Sequence, residues 1–186
     1  PRMRGITRHM SPSSRVCRFS AVVSIGMMRL MSRKCRDLDS ALRHRDALLA
    51  VRQELAFRSD EQLEDCFKQV LGEVLRQHGL DSFALGLRMS VSFWVHRWVG
   101  LPLTSPSFSA VDETMDGLQC GIHAYRRLSV ARRRLLQEAE GHSREPPTLQ
   151  EHEAWVALRK VFLDIEEEAG FDRQARSVRL ARAEGQ

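Results

Sequence analysis

No aspartate or glutamate occurs before Asp37, yet the 36 residues ahead of it carry nine arginines and lysines. A stretch with that charge cannot neutralise itself. It must stay solvated or rest on carboxylates or phosphates supplied from elsewhere. The constraint splits the chain. The whole sequence of 186 residues has a formal charge of +5, and setting the first 36 residues aside leaves 20 basic against 24 acidic groups. The sequence pI of about 9.5 therefore belongs to the N-terminal segment, not to the rest of the chain.

Residues 1–36 read as an extended basic arm or a targeting segment. They are rich in Arg and Ser and free of acid, as mitochondrial transit segments are. That composition points to a mitochondrial location, with a cytoplasmic one as the alternative. Arg2, Arg4, Arg8, Arg15 and Arg18 are the arm's candidate contacts to nucleic acid or to an acidic protein surface, because a guanidinium grips phosphate and carboxylate through a planar fork. Within the arm, Phe19, Ala21, Val23, Ile25 and Met27 alternate with Ser20, Val22, Ser24 and Gly26. This pattern suits a short strand or the apolar patch of a targeting helix. The apolar run 19–28 is too short to cross a bilayer. The run 82–103 is interrupted by Arg88, His96 and Arg97, which are costly at membrane depth. Membrane contact stays open.

Residues 37–170 read as a helical domain and 171–186 as a polar C-terminal tail. The expected architecture is all-α, an irregular bundle of about five helices carrying the extended arm. The first helix spans 37–57, with Leu38, Leu42, Leu48, Leu49 and Leu55 as its apolar set. The second opens on Ser59 and Gln62 as a capping box, with Asp60, Glu61, Glu64 and Asp65 where the helix dipole favours negative charge. Its buried stripe is Leu63, Phe67, Val70, Leu71, Val74 and Leu75, and Gly79 stops it. Residues 82–99 fit two periods. Phe83, Leu85, Leu87, Met89, Val91, Phe93 and Val95 alternate as a strand would, whereas Phe83, Leu87, Val91, Trp94, Val95 and Trp98 follow helical spacing. Asp81 can cap a helix here, Gly100 and Pro102 can end it, and a lone strand would need a partner, so a buried helix is expected. A long helix over 110–140 follows. Pro146 and Pro147 break the chain, and a Thr148–Glu151 capping box starts the last helix, which ends at Gly170.

Arg126, Arg127, Arg133 and Arg134 fall within an arc of about 120° on the helix 110–140. They lie opposite Leu118, Ile122, Tyr125, Leu128, Leu135 and Leu136. Such a face can hold a nucleic-acid backbone or an acidic partner. It is equally what a solvated face looks like, with Asp112, Glu113 and Asp116 early and arginines late, as the macrodipole prefers. Arg132 projects to the middle of the apolar side and must either snorkel its head to water or find a carboxylate. Glu153 or Asp164 would be nearest if the last two helices form an antiparallel hairpin. Trp94 and Trp98, four residues apart, are core residues or, together with Arg132, an interface. Glu166, Glu167 and Glu168 sit where the dipole disfavours them, which suggests an external basic partner or an internal one such as Arg126 and Arg127.

No chemistry stands out. There is no H-E-x-x-H, no G-x-S-x-G, no phosphate-cradling glycine loop and no Cys–His pairing in the sequence. Glu138 with His142 is too small a ligand set for a metal. Cys17, Cys35, Cys66 and Cys120 form no C-x-x-C and read as reduced thiols. No metal, cofactor or small-molecule substrate is expected. The sequence points to a non-catalytic helical subunit of a larger assembly, of mitoribosome or respiratory type, anchored by its basic arm with protein subunits and RNA as partners. The alternatives are a DNA- or RNA-binding regulator using the Arg face of helix 110–140, and a small helical enzyme.

Overall fold

The computed structural model describes residues 4–10, 16–56, 58, 60–95, 97–109, 116–139 and 146–184. It corrects the all-α expectation. The described residues of the supposed arm form strands β1 to β3, and the chain is mixed α/β, with a six-stranded antiparallel sheet beside its helices. In chain order the elements are β1 (Ile6–Met10), β2 (Cys17–Ile25), β3 (Met28–Met31), α1 (Leu38–Leu55), α2 (Asp60–Gln77), α3 (Ser82–Leu85), β4 (Arg88–Phe93), β5 (Leu103–Thr104), β6 (Phe108–Ser109), α4 (Asp116–Glu138), α5 (Leu149–Glu168) and α6 (Arg173–Glu184). The strands run in the order β1-β2-β3-β4-β5, and β6 also pairs with β4. Among the described residues, no helix is long and apolar enough to cross a membrane.

The chain divides into two units, one of Pro1–Ser90 with Ser107–Ile122, the other of Val91–Pro106 with His123–Gln186. In the first, the alternation of residues 19–25 is that of a strand. Ala21, Val23 and Ile25 are buried, while Ser24 is exposed. Gly26, at φ 56°, opens the two-residue turn to β3, a position where a tight hairpin needs positive φ. Helix α1 packs on β2. Asp37 caps it by accepting from the Ser40 backbone N–H at 2.6 Å. Of the five leucines expected to face inward, only Leu48 and Leu55 are fully buried; Ala41, His44, Ala47 and Val51 complete the buried face. The buried face thus mixes two alanines with larger residues rather than consisting of leucines.

Helix α2 buries the expected Leu63, Phe67, Leu71, Val74 and Leu75. It ends as predicted at Gly79 (φ 64°), with the Leu80 N–H reaching the Leu75 carbonyl at 2.8 Å. The proposed cap Ser59 lies outside the described residues.

The expected helix over 82–99 is not formed. Asp81 does cap a helix, through the Ala84 N–H, but α3 lasts one turn before Gly86 turns left-handed at φ 54°. The chain then runs as β4. The strand lacks no partners: Arg88 and Met89 pair with Ser109 and Phe108 in the first unit, and Ser92 and Phe93 with Thr104 and Leu103 in the second. With hydrogen bonds available, Met89, Ser90, Val91 and Phe93 can be buried together. Near β6, the start of α4 lies close to the backbone. A Cβ on Gly117 would strike the Ser109 carbonyl oxygen, and one on Gly121 the Met89 methyl.

In the second unit α4 and α5 run antiparallel, with Arg127 bonded to Glu168 near one end. The Thr148–Glu151 capping box is present. Gly170 (φ 82°) ends α5, with the Phe171 N–H on the Glu166 carbonyl at 2.9 Å. Residues expected to be a polar tail include α6, whose arginines meet the acidic end of α5. Arg173 bonds Asp164 at 2.6 Å and Glu167 at 2.7 Å, and Arg176 bonds Glu166 at 2.7 Å.

Candidate nucleic-acid interface

Directly opposed residues of an antiparallel pair share a face. The register therefore sorts β1–β3 without ambiguity. Ile6, Arg8 and Met10 lie with Ala21, Phe19 and Cys17, and Leu30 and Met28 with Val23 and Ile25. This is the face that carries α1. The opposite face carries Thr7, His9, Arg18, Ser20, Val22, Ser24, Arg29 and Met31. Arg18 and Ser24 are exposed and Arg29 is half-buried. His9 Nε2 lies 2.9 Å from the Ser20 hydroxyl. Burial and then the nearby Lys34 charge lower the His9 pKa, which favours the uncharged ring. No carboxylate belongs to this face, since none precedes Asp37. The face mixes hydroxyls and cations with Val22 and Met31; Arg18 and Ser24 are its exposed members, and Ser20 is buried.

The expected arm contacts are thereby divided. Arg18 lies on the outer face. Arg8 shares the α1 side of the sheet and donates from Nε to Cys17 Sγ at 3.0 Å. Arg4 is exposed in the turn before β1. Arg2 and Arg15 lie outside the described residues. Arg29 and Lys34 were not singled out by sequence. Arg29 sits one residue past the β2–β3 turn, a position whose orientation only the strand register fixes.

The helical candidates lie in the second unit. Arg126, Arg133 and Arg134 are exposed on α4, while Arg127 is bonded to Glu168 at 2.7 Å. The internal partner suggested for the glutamates at the end of α5 is thus Arg127 for Glu168, with the α6 arginines taking Glu166 and Glu167. Arg132 is half-buried between buried Leu128 and Leu135, and its Nε finds no hydrogen bond. Asp164, one proposed partner, is engaged by Lys160 and Arg173. Trp94 is 48% exposed, whereas Trp98 stacks on Trp155 with ring centroids 5.6 Å apart.

Two contacts escaped the sequence reading. Glu151 not only completes its capping box but lies fully buried, accepting from Arg97 at 2.7 Å. Cys35 and His44 do meet, with Sγ 3.5 Å from Nδ1, both buried in the first unit. Burial raises the Cys35 pKa, the nearby Arg33 and Asp37 pulling in opposite directions, while burial and then Arg33 and Arg43 lower that of His44. Both shifts favour the uncharged thiol and imidazole, whereas a nucleophile needs the thiolate.

The same shifts predict how stability varies with pH. Below the ordinary imidazole value of 6.5 the unfolded chain takes up a proton that native His44 resists, so stability falls with falling pH. Above the ordinary thiol value of 9.0 the unfolded chain loses a proton that native Cys35 keeps, so stability falls with rising pH. Urea midpoints measured across this range should be highest between the two limits. His44→Gln should flatten the acid limb and Cys35→Ala the alkaline limb. An acid limb unchanged in His44→Gln would refute the assignment.

Among the described residues no group of His, Cys, Asp and Glu could hold a metal ion. Comparison with protein-family models, curated proteins and solved structures finds no significant match.

Proposed function

We propose that the protein binds nucleic acid through the outer face of β1–β3, with duplex DNA as the ligand the geometry fits best. The single observation behind this reading is the acid-free sheet face carrying Arg18 and Arg29, with Lys34 close by. The ~12 Å major groove of B-form DNA admits a two-stranded β-ribbon, and the β2–β3 hairpin, its strands about 4.8 Å apart, carries both Arg18 and Arg29. A-form RNA keeps its major groove too narrow for such an element. Single strands are usually held by aromatic stacking, and this face offers only His9. Exposed Ser24 and half-buried Thr7 add short hydroxyls able to reach phosphates or base edges.

This reading makes the protein a binding module rather than an enzyme. It keeps the basic N-terminal segment as the instrument of binding but replaces a flexible arm by a preformed surface. The test is fluorescence anisotropy with labelled duplex DNA, duplex RNA and single-stranded DNA over a range of salt concentrations. Duplex DNA should bind most tightly, with affinity falling linearly in log salt. Weaker binding to duplex DNA than to either competitor would overturn the reading.

A further inference from the structure

A second surface, in the other unit, goes beyond that reading. Between α4 and α5 runs an open groove of about 420 Å³. Its floor is apolar, formed by Val130 and Ala131 of α4 with Ala157 and Val161 of α5. Its α4 wall carries His123, Arg126 and Arg134, all exposed. Among the described residues that line the groove none is acidic. Arg127 also borders it and is paired with Glu168.

We infer that this groove receives an amphipathic helix from another protein, its apolar stripe edged by Glu or Asp. Three arguments fix the occupant. First, positions 123, 126, 127, 130, 131 and 134 repeat at helical spacing over about 16 Å of α4, which matches a partner of three turns. Second, the walls are helices whose backbone groups are already bonded within themselves, so an extended peptide would find no main-chain partners. A helical ligand satisfies its own backbone and needs only a furrow. The two alanines make that furrow by letting the partner approach closely. Third, the surface combines apolar floor and cationic rim. Val130 is 60% exposed, and a nucleic-acid backbone would gain nothing from covering it, whereas a carboxylate-edged apolar stripe complements both parts.

The experiment is selection from a displayed library of helical peptides with randomised exposed positions, using the full chain as bait. Peptides that emerge should share an apolar stripe flanked by acidic residues. Their affinity should fall about tenfold or more in Val130→Asp, which puts a charge on the floor, and by a similar factor in Arg126→Glu/Arg134→Glu. These positions are exposed, and an unchanged thermal unfolding midpoint confirms that the variants fold. Failure to enrich any peptide over the double variant, enrichment without an acidic bias, or affinities within about twofold in both variants would overturn the inference. So would a duplex oligonucleotide that displaces the peptides and itself binds less well to the double variant, since the arginine stripe would then belong to phosphate.

Discussion

Arg18→Glu combined with Arg29→Glu should weaken binding to duplex DNA about 100-fold at low salt and lower the log–log salt slope by about two. Both residues lie on the outer face of one sheet, away from the side that carries α1. Neither change touches the buried set Ala21, Val23, Ile25, Met28 and Leu30. The fold should therefore survive, and a loss of binding would report on the face itself. Arg8 serves as the internal control. It is equally basic and close in sequence, but it shares the α1 side, so Arg8→Glu should cost much less. Equal losses for Arg8→Glu and Arg18→Glu would show that net charge, rather than the face, governs binding. The anisotropy titrations that test the ligand class also measure these variants.

Glu151→Ala should destabilise the protein by about 3 kcal/mol, near the lower end for breaking a buried ion pair. One oxygen accepts from Arg97 and the other from the Thr148 backbone N–H at the start of α5. The carboxylate is wholly buried and the Arg97 side chain is 23% exposed, so losing the acid strips a largely desolvated cation of this partner while uncapping a helix. Glu151→Gln keeps an oxygen for the cap and removes only the charge, so it should cost less. Chemical denaturation of the two variants beside the parent separates these contributions. Equal costs would assign the effect to the charge alone.

The helix ends were legible because capping is local. Gly79, Gly170 and the Thr148–Glu151 pair each act on backbone groups within about five residues, and the structure uses them as the sequence suggests, whereas Asp81 caps a helix of one turn in place of the long one expected. The sheet was not legible, because pairing depends on distant partners. Residues 88–93 suit a strand or a helix until β5 and β6 are known, and those strands have two residues each, too few to show any period. The buried face of α1 was misjudged because the leucines were read as its apolar set, whereas Ala41, His44, Ala47 and Val51 are buried with Leu48 and Leu55. The cations of the candidate interface were visible as composition. Which of them act together was not, since Arg8 and Arg18 are separated onto opposite faces by register alone. Cys35 and His44 fall nine residues apart and meet only because α1 folds back on β2.

Helix α6 carries a further consequence. Among its described side chains only Leu180 is buried, and its remaining named ties to α5 are polar: Arg173 and Arg176 to carboxylates, and Arg159 of α5 to Ser177. An element held mainly by charge and little by apolar area opens at a lower free energy than the body it covers. The Arg173 pairs are open to solvent and so to screening. Amide exchange over 173–184 should therefore accelerate in high salt while exchange along α5 stays unchanged. The last helix would then be a latch whose closure follows ionic strength, able to release the end of the chain without unfolding what lies before it.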